Sequence, residues 1–164
     1  MFDPTAFDNM KTVLEGAVYD ADLSGTLLIE NRKDVIDLAS LSREYEITFH
    51  LPLCEKVRAS ISLKATLAQL ASELIPRLGL ESGATVTVLF EGPSSFLSSK
   101  LSVIQSVWGE DGIYEIRQII STSHPKTTEI IIHFPKPVQE EMMNELLVQV
   151  EMMKETLQKL AQES

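Results

Sequence analysis

The chain has 164 residues and a formal charge of −10, with 44% apolar and 23% charged residues. Such a balance excludes a predominantly disordered polymer, the length fits one domain, and no apolar run approaches the ~18 residues that a membrane-spanning helix needs. Acids outnumber bases without any cluster of Lys and Arg, which argues against nucleic acid or an anionic membrane surface as a direct partner.

The acids concentrate at the two ends: residues 1–50 hold ten acids and four bases, and residues 135–164 hold six and three. This excess serves solubility, or it forms an acidic face for a basic protein partner. The start of the chain lacks the basic stretch and apolar core of a secretory signal, and the single cysteine, Cys54, leaves no internal disulfide. Both features point to a reducing, cytoplasmic setting.

Asp3 and Pro4 suit the cap and first position of a helix carrying Phe7, Met10, Val13 and Leu14, which Gly16 is expected to stop. Residues 17–20 and 26–31 read as short strands around a turn at 21–25. A second turn is expected at 31–34, and 35–40 reads as either a strand or a helical turn. From Arg43 to Leu51 the pattern is clearer. Tyr45, Ile47, Phe49 and Leu51 alternate with polar residues, and after a turn at 52–55 Val57, Ala59, Ile61 and Leu63 alternate again. A period of two predicts an antiparallel hairpin with one face in the core.

Leu67, Leu70, Ala71, Leu74 and Ile75 form a helical stripe that Thr66 or Ser62 is placed to cap and Pro76 and Gly79 to end. The apolar run at 85–91 predicts a central strand. Gly92-Pro93-Ser94-Ser95 then opens a helix carrying Phe96, Leu97, Leu101, Ile104 and Trp108. Residues 113–121 and 127–134 predict a second hairpin, and Pro135 and Pro137 precede a Gly- and Pro-free segment, 138–164, that predicts one long helix.

These elements imply an α+β fold: a mixed, largely antiparallel sheet with two internal helices, an N-terminal helix and a long C-terminal helix. The expected organisation is one domain over 1–137 followed by an amphipathic helix over 138–164. In the segment 44–91 the order is strand, tight turn, strand, helix, loop, strand. Tyr45–Leu51, Val57–Leu63, the Thr66-Leu67-x-x-Leu70 helix entry and Val88–Gly92 resemble the start of a ubiquitin-like β-grasp domain. The resemblance implies a β-grasp-like core at 43–91 and a binding fold. The chain departs from the family where a long helix replaces the Gly-Gly tail of its conjugated members.

The strongest pattern lies in the last segment. Met143, Leu146, Val150, Met153, Leu157 and Leu160 recur at 3-4-3-4-3, with Leu147 beside them, as an a/d seam. At 1.5 Å per residue, about 26 residues of helix would reach ~39 Å, further than a compact domain needs. This predicts an interface, and hence a non-enzymatic interaction or regulatory module that self-associates as a homodimer through this helix.

The catalytic and ligand signals are weaker. Asp20, Asp22, Ser24 and Gly25 match the start of a calcium loop, but its twelfth position is Asn31, with Glu30 one residue short. His50, Cys54, His124 and His133 show no zinc spacing. Gly92–Ser95 offers helix-entry amides to an anion without a nucleotide fingerprint. The alternative to an interaction module is therefore a small-molecule or anion-binding protein, or a small enzyme, with a cleft near Gly92–Ser95 or His50–Cys54. No metal or cofactor is implied.

Overall fold

The computed structural model describes residues 5–74 and 83–163. Six strands form one sheet: β1 Leu28–Asp37, β2 Ser42–Leu51, β3 Cys54–Ala65, β4 Thr85–Pro93, β5 Ile113–Ile119 and β6 Thr127–His133. Their spatial order is β1-β2-β3-β4-β6-β5. Every neighbouring pair is antiparallel, so the sheet expected to be mixed but largely antiparallel is antiparallel throughout the described strands.

The same pairing corrects the β-grasp reading of 43–91. β3 ends and β4 begins at the same end of the sheet, and the two strands pair directly, Ile61 opposite Val88. Their connection needs no crossover, and without one the parallel central pair of a β-grasp does not arise. Helix α2, Leu67–Leu74, is part of that connection. Thr66 caps it: Gln69 N donates to Thr66 Oγ1, and Thr66 N donates to Gln69 Oε1, which satisfies two amides reciprocally. Ile75, Pro76 and Gly79 lie outside the described residues.

Helix α1 runs from Thr5 to Leu23, well past Gly16. The helix continues because its apolar stripe does: Phe7, Met10, Leu14, Val18 and Ala21 are all buried, while Gly16 points to open solvent. One exposed glycine costs a helix only about 1 kcal/mol, less than burying Val18 and Ala21 returns. Residues 17–20 are thus helical, not a strand. The expected turn at 31–34 is strand as well, because β1 pairs with β2 through Asp37↔Ser42. The turn falls at 38–41, where Asp37 Oδ1 accepts the amides of Ala39 and Ser40.

One face of the sheet buries Tyr45, Ile47, Ala59, Ile61, Val88, Phe90, Ile130 and Ile132 in a single cluster with α1 and the C-terminal helix. The helix expected after Gly92 is two pieces, α3 Ser94–Leu97 and α4 Leu101–Trp108. Helix α5 spans Asn144–Gln162, shorter than the expected 138–164. Val138 forms a β-bridge with Ala84, and a 3-10 turn occupies Glu140–Met142. Gly83 makes that bridge possible: its φ is +105°, and a Cβ there would collide with the carbonyl of Val138. No helix among the described residues is long and apolar enough to cross a membrane.

Candidate functional site

The C-terminal seam lies inside the protomer. Leu146, Val150, Met153, Leu157 and Leu160 are buried in the common core and Met143 is half-buried against it, whereas Leu147 is exposed. At 19 residues α5 is about 28 Å long and lies over the sheet it covers. The seam is therefore consumed by the fold, and the premise that it exceeds what one chain needs is corrected. The residue beside it that sequence reasoning passed over is Thr156. Its buried hydroxyl accepts Trp108 Nε1 at 2.9 Å and donates to the Met152 carbonyl.

The calcium-like segment is the end of α1 and the turn after it. Asp22 Oδ2 accepts the Ile29 amide at 2.9 Å, and the Asp20 and Ala21 carbonyls accept the amides of Ser24 and Thr26. The loop is thus satisfied by its own backbone. No cluster of three or more potential metal ligands occurs among the described residues.

The opposite face of the sheet points to solvent, and two hollows adjoin on it. The larger, of about 730 Å³, lies at the end where the 52–53 and 120–126 turns project on either side of Glu91–Pro93. It brings together two segments that the sequence offered as separate clefts, since His50 and Gly92-Pro93 both line it, with His124 from the second hairpin. Cys54 is not among its lining residues, and no hydrogen bond joins Cys54 to a histidine among the described residues. Ser94 is also spent: its amide donates to the Lys126 carbonyl at 3.0 Å and its hydroxyl meets Thr128 Oγ1 at 2.7 Å. Helix α3 is a single turn, so its entry offers no anion cradle.

The charges of this hollow balance. Lys56, Arg58 and Lys126 face Glu30, Glu55 and Glu91. Arg58 bridges two of the acids, Glu30 at 3.0 Å and Glu91 at 3.1 Å. Two apolar side chains stand on the flanking turns, Leu53 fully exposed and Ile120 nearly so.

The smaller hollow, about 270 Å³, shares Glu30, Arg58 and Glu91 and adds Glu46 and Glu129. Strand register explains the crowding. Arg58, Glu91, Glu129 and Arg117 lie in one cross-strand row, and Glu46 lies two rows away on the same face. Burial, and after it the neighbouring carboxylates set against Lys33, holds the Glu46 carboxyl above its ordinary value. Burial and then Glu91 do the same for Glu129, against the pull of Arg117. These are the groups that a bound cation would relieve. Period-two patterning placed Glu46 on the outward face, but it did not show which strands would stand side by side to bring the carboxylates together.

No protein-family model matches the chain, and no curated protein or solved structure matches it. The class is defined by the fold itself: an α+β domain with helices on one face of a six-stranded antiparallel sheet and a hollowed, charged opposite face.

Proposed function

We propose that this chain is a non-enzymatic interaction module that holds a basic polypeptide segment on the solvent-facing side of its sheet. The observation that carries this reading is the pair of adjoining hollows. The smaller is lined by Glu30, Glu46, Glu91 and Glu129 with Lys33 and Arg58, and Arg117 stands opposite Glu129 at its margin. A Lys or Arg of the bound segment seats there, and the rest of the segment runs through the larger hollow toward Leu53 and Ile120. The overall charge of −10 steers such a ligand in.

The test is selection of a random peptide library on the purified full chain. Selected peptides are expected to be rich in Lys or Arg, to bind less tightly as salt rises, and to lose about tenfold or more in affinity with Glu129→Lys. Acidic or uncharged winners, or affinity indifferent to Glu129→Lys in a variant with wild-type melting behaviour, would overturn the reading.

A second reading, a small-molecule or anion site, is favoured by one observation: His50, His124, Lys56 and Lys126 share a hollow whose volume suits a small ligand. A thermal-shift screen with nucleotides, phosphate and divalent cations separates the two. Stabilisation by an anion that Lys126→Ala abolishes would favour this second reading.

A further inference from the structure

The two edges of the sheet are built differently. β1 is an edge strand with a bulge between Ile29 and Asn31, and charged residues occupy half its positions. Both are devices that discourage another strand from adding. β5, the other edge, pairs with β6 in unbroken register, contains no proline and exposes Ile113, Ile116 and Ile119 by 62%, 45% and 43%. Ile120, just beyond it, is 80% exposed.

The sequence of β5 is Ile-Tyr-Glu-Ile-Arg-Gln-Ile. Read outward from Ile116, Glu115 balances Arg117 with opposite charge and Ile113 balances Ile119, while Tyr114 stands against Gln118. We infer that β5 is the dimerisation edge of this protein, pairing antiparallel with β5 of a second copy about a two-fold axis through Ile116. In that register Glu115 lies opposite Arg117 of the second copy, and Arg117 opposite its Glu115. Ile113 meets Ile119, and Ile116 meets its own counterpart. Opposite residues of an antiparallel pair must share hydrogen-bonding parity, so a self-pairing centres on a residue. A centre at 115 sets Glu against Glu, and one at 117 sets Arg against Arg. Only the centre at 116 pairs opposite charges and engages all seven residues.

Within one chain Glu115 already accepts Arg117 Nε at 2.9 Å and His133 Nε2 lies 2.7 Å from it. The Glu115 and Arg117 side chains are about half exposed, so a second guanidinium joins them without dehydrating a buried pair. Directly opposite Cβ atoms stand about 5 Å apart and diagonal ones 7–8 Å, so attraction across the axis exceeds the Glu–Glu and Arg–Arg repulsion along the diagonals. The dimer extends the sheet to twelve strands and keeps the two-fold isologous. It leaves the hollowed face open on both copies, with Ile119 at the margin of the larger hollow, and it is tested by oligomeric state and not by ligand binding. A seven-residue strand pair buries less than the ~1,200 Å² of a tight complex, so association is expected in the micromolar range.

Sedimentation equilibrium of the full chain tests this. A mass of twice 18.3 kDa is expected at high micromolar concentration, falling to one copy on dilution. Arg117→Glu and Glu115→Arg are each expected to weaken the dimer at least tenfold. The double variant, with the two charges exchanged, is expected to restore it, because the exchanged pattern is again self-complementary. In a Cys54→Ser background, Ile116→Cys is expected to form an intermolecular disulfide on mild oxidation, its two Cα atoms lying 4.5–5.5 Å apart, within disulfide reach. A wild-type chain that stays monomeric at that concentration, a dimer insensitive to the single substitutions, or a charge-exchanged variant that does not recover would overturn the inference.

Discussion

Trp108 Nε1 donates to Thr156 Oγ1 at 2.9 Å in the buried layer between α4 and α5. The indole also stands edge-on to Phe90 of β4, with centroids 6.4 Å apart, and tilted against Phe134 at 5.9 Å. One side chain thus ties two helices to the sheet. Thr156→Val keeps the shape and removes the acceptor, leaving a buried N–H unpaired. The expected loss is about 1–3 kcal/mol. Chemical denaturation measures it, with the chain's single tryptophan as the fluorescent reporter. Thr156→Ser, which keeps the oxygen, is expected to lose less.

The seam of α5 and its exposed neighbour separate cleanly in stability. Val150→Ala and Leu157→Ala each remove buried carbon from a packed core, with expected costs of about 1.5–4 kcal/mol. Leu147→Ala, at an exposed position, is expected to change stability by no more than about 0.5 kcal/mol. Equal sensitivity at all three positions, measured by urea unfolding, would contradict the packing described.

Gly16 lies mid-helix with nothing near its missing Cβ. Gly16→Ala therefore costs no clash and removes backbone freedom from the unfolded chain. A gain of about 0.5–1 kcal/mol is expected, visible as a rise in Tm by calorimetry. A fall in Tm would mean that the helix ends where the glycine suggested.

Two carboxylates are expected to respond to pH in opposite directions. Burial raises the Glu46 pKa, so in folding this group favours its proton. Its contribution is fully present below the unfolded pKa and is lost as pH rises through the folded one. Glu46→Gln is therefore expected to stabilise at pH 7, by about 0.5 kcal/mol or less given its partial exposure, and to be neutral below about pH 4. For Asp34, burial raises the pKa, but hydrogen bonds from Lys11 and Arg43 outweigh it and the net shift is downward. Its contribution is present above the unfolded pKa and is lost as pH falls through the folded one. Asp34→Asn is expected to destabilise at pH 7, by about 1 kcal/mol or less for so exposed a group, and the difference should vanish in strong acid. Thermal melts of the two variants between pH 3 and pH 7 measure both trends.

Much of the architecture was legible without coordinates. Strict alternation at 45–51 and 57–63 has only one solution with a buried face, and the structure places both strands and their hairpin there. Thr66, one of the two residues expected to cap α2, does cap it, through local hydrogen bonds with Gln69. Local rules failed where a distant partner outweighed them. Gly16 was expected to end a helix that the core keeps going, and the polar run 31–34 was expected to turn where β2 supplies a full ladder.

The amino-acid order by itself determined the α+β class, the two hairpins, the inward and outward faces of β2 and β3 and the apolar stripe of the last helix, because these depend on side-chain periods of 2 and 3.6. Which surface that stripe covers was decided only by the assembled fold. A buried stripe and a free one have the same periodicity, and they differ only in whether a sheet of the same chain reaches them. The grouping of Glu46, Glu91 and Glu129 likewise comes from strand order, which brings together residues far apart in the chain. The charge pattern of β5 was present in the sequence throughout, but it acquired meaning only when the sheet left that strand at an edge, with no strand among the described residues pairing its outer side.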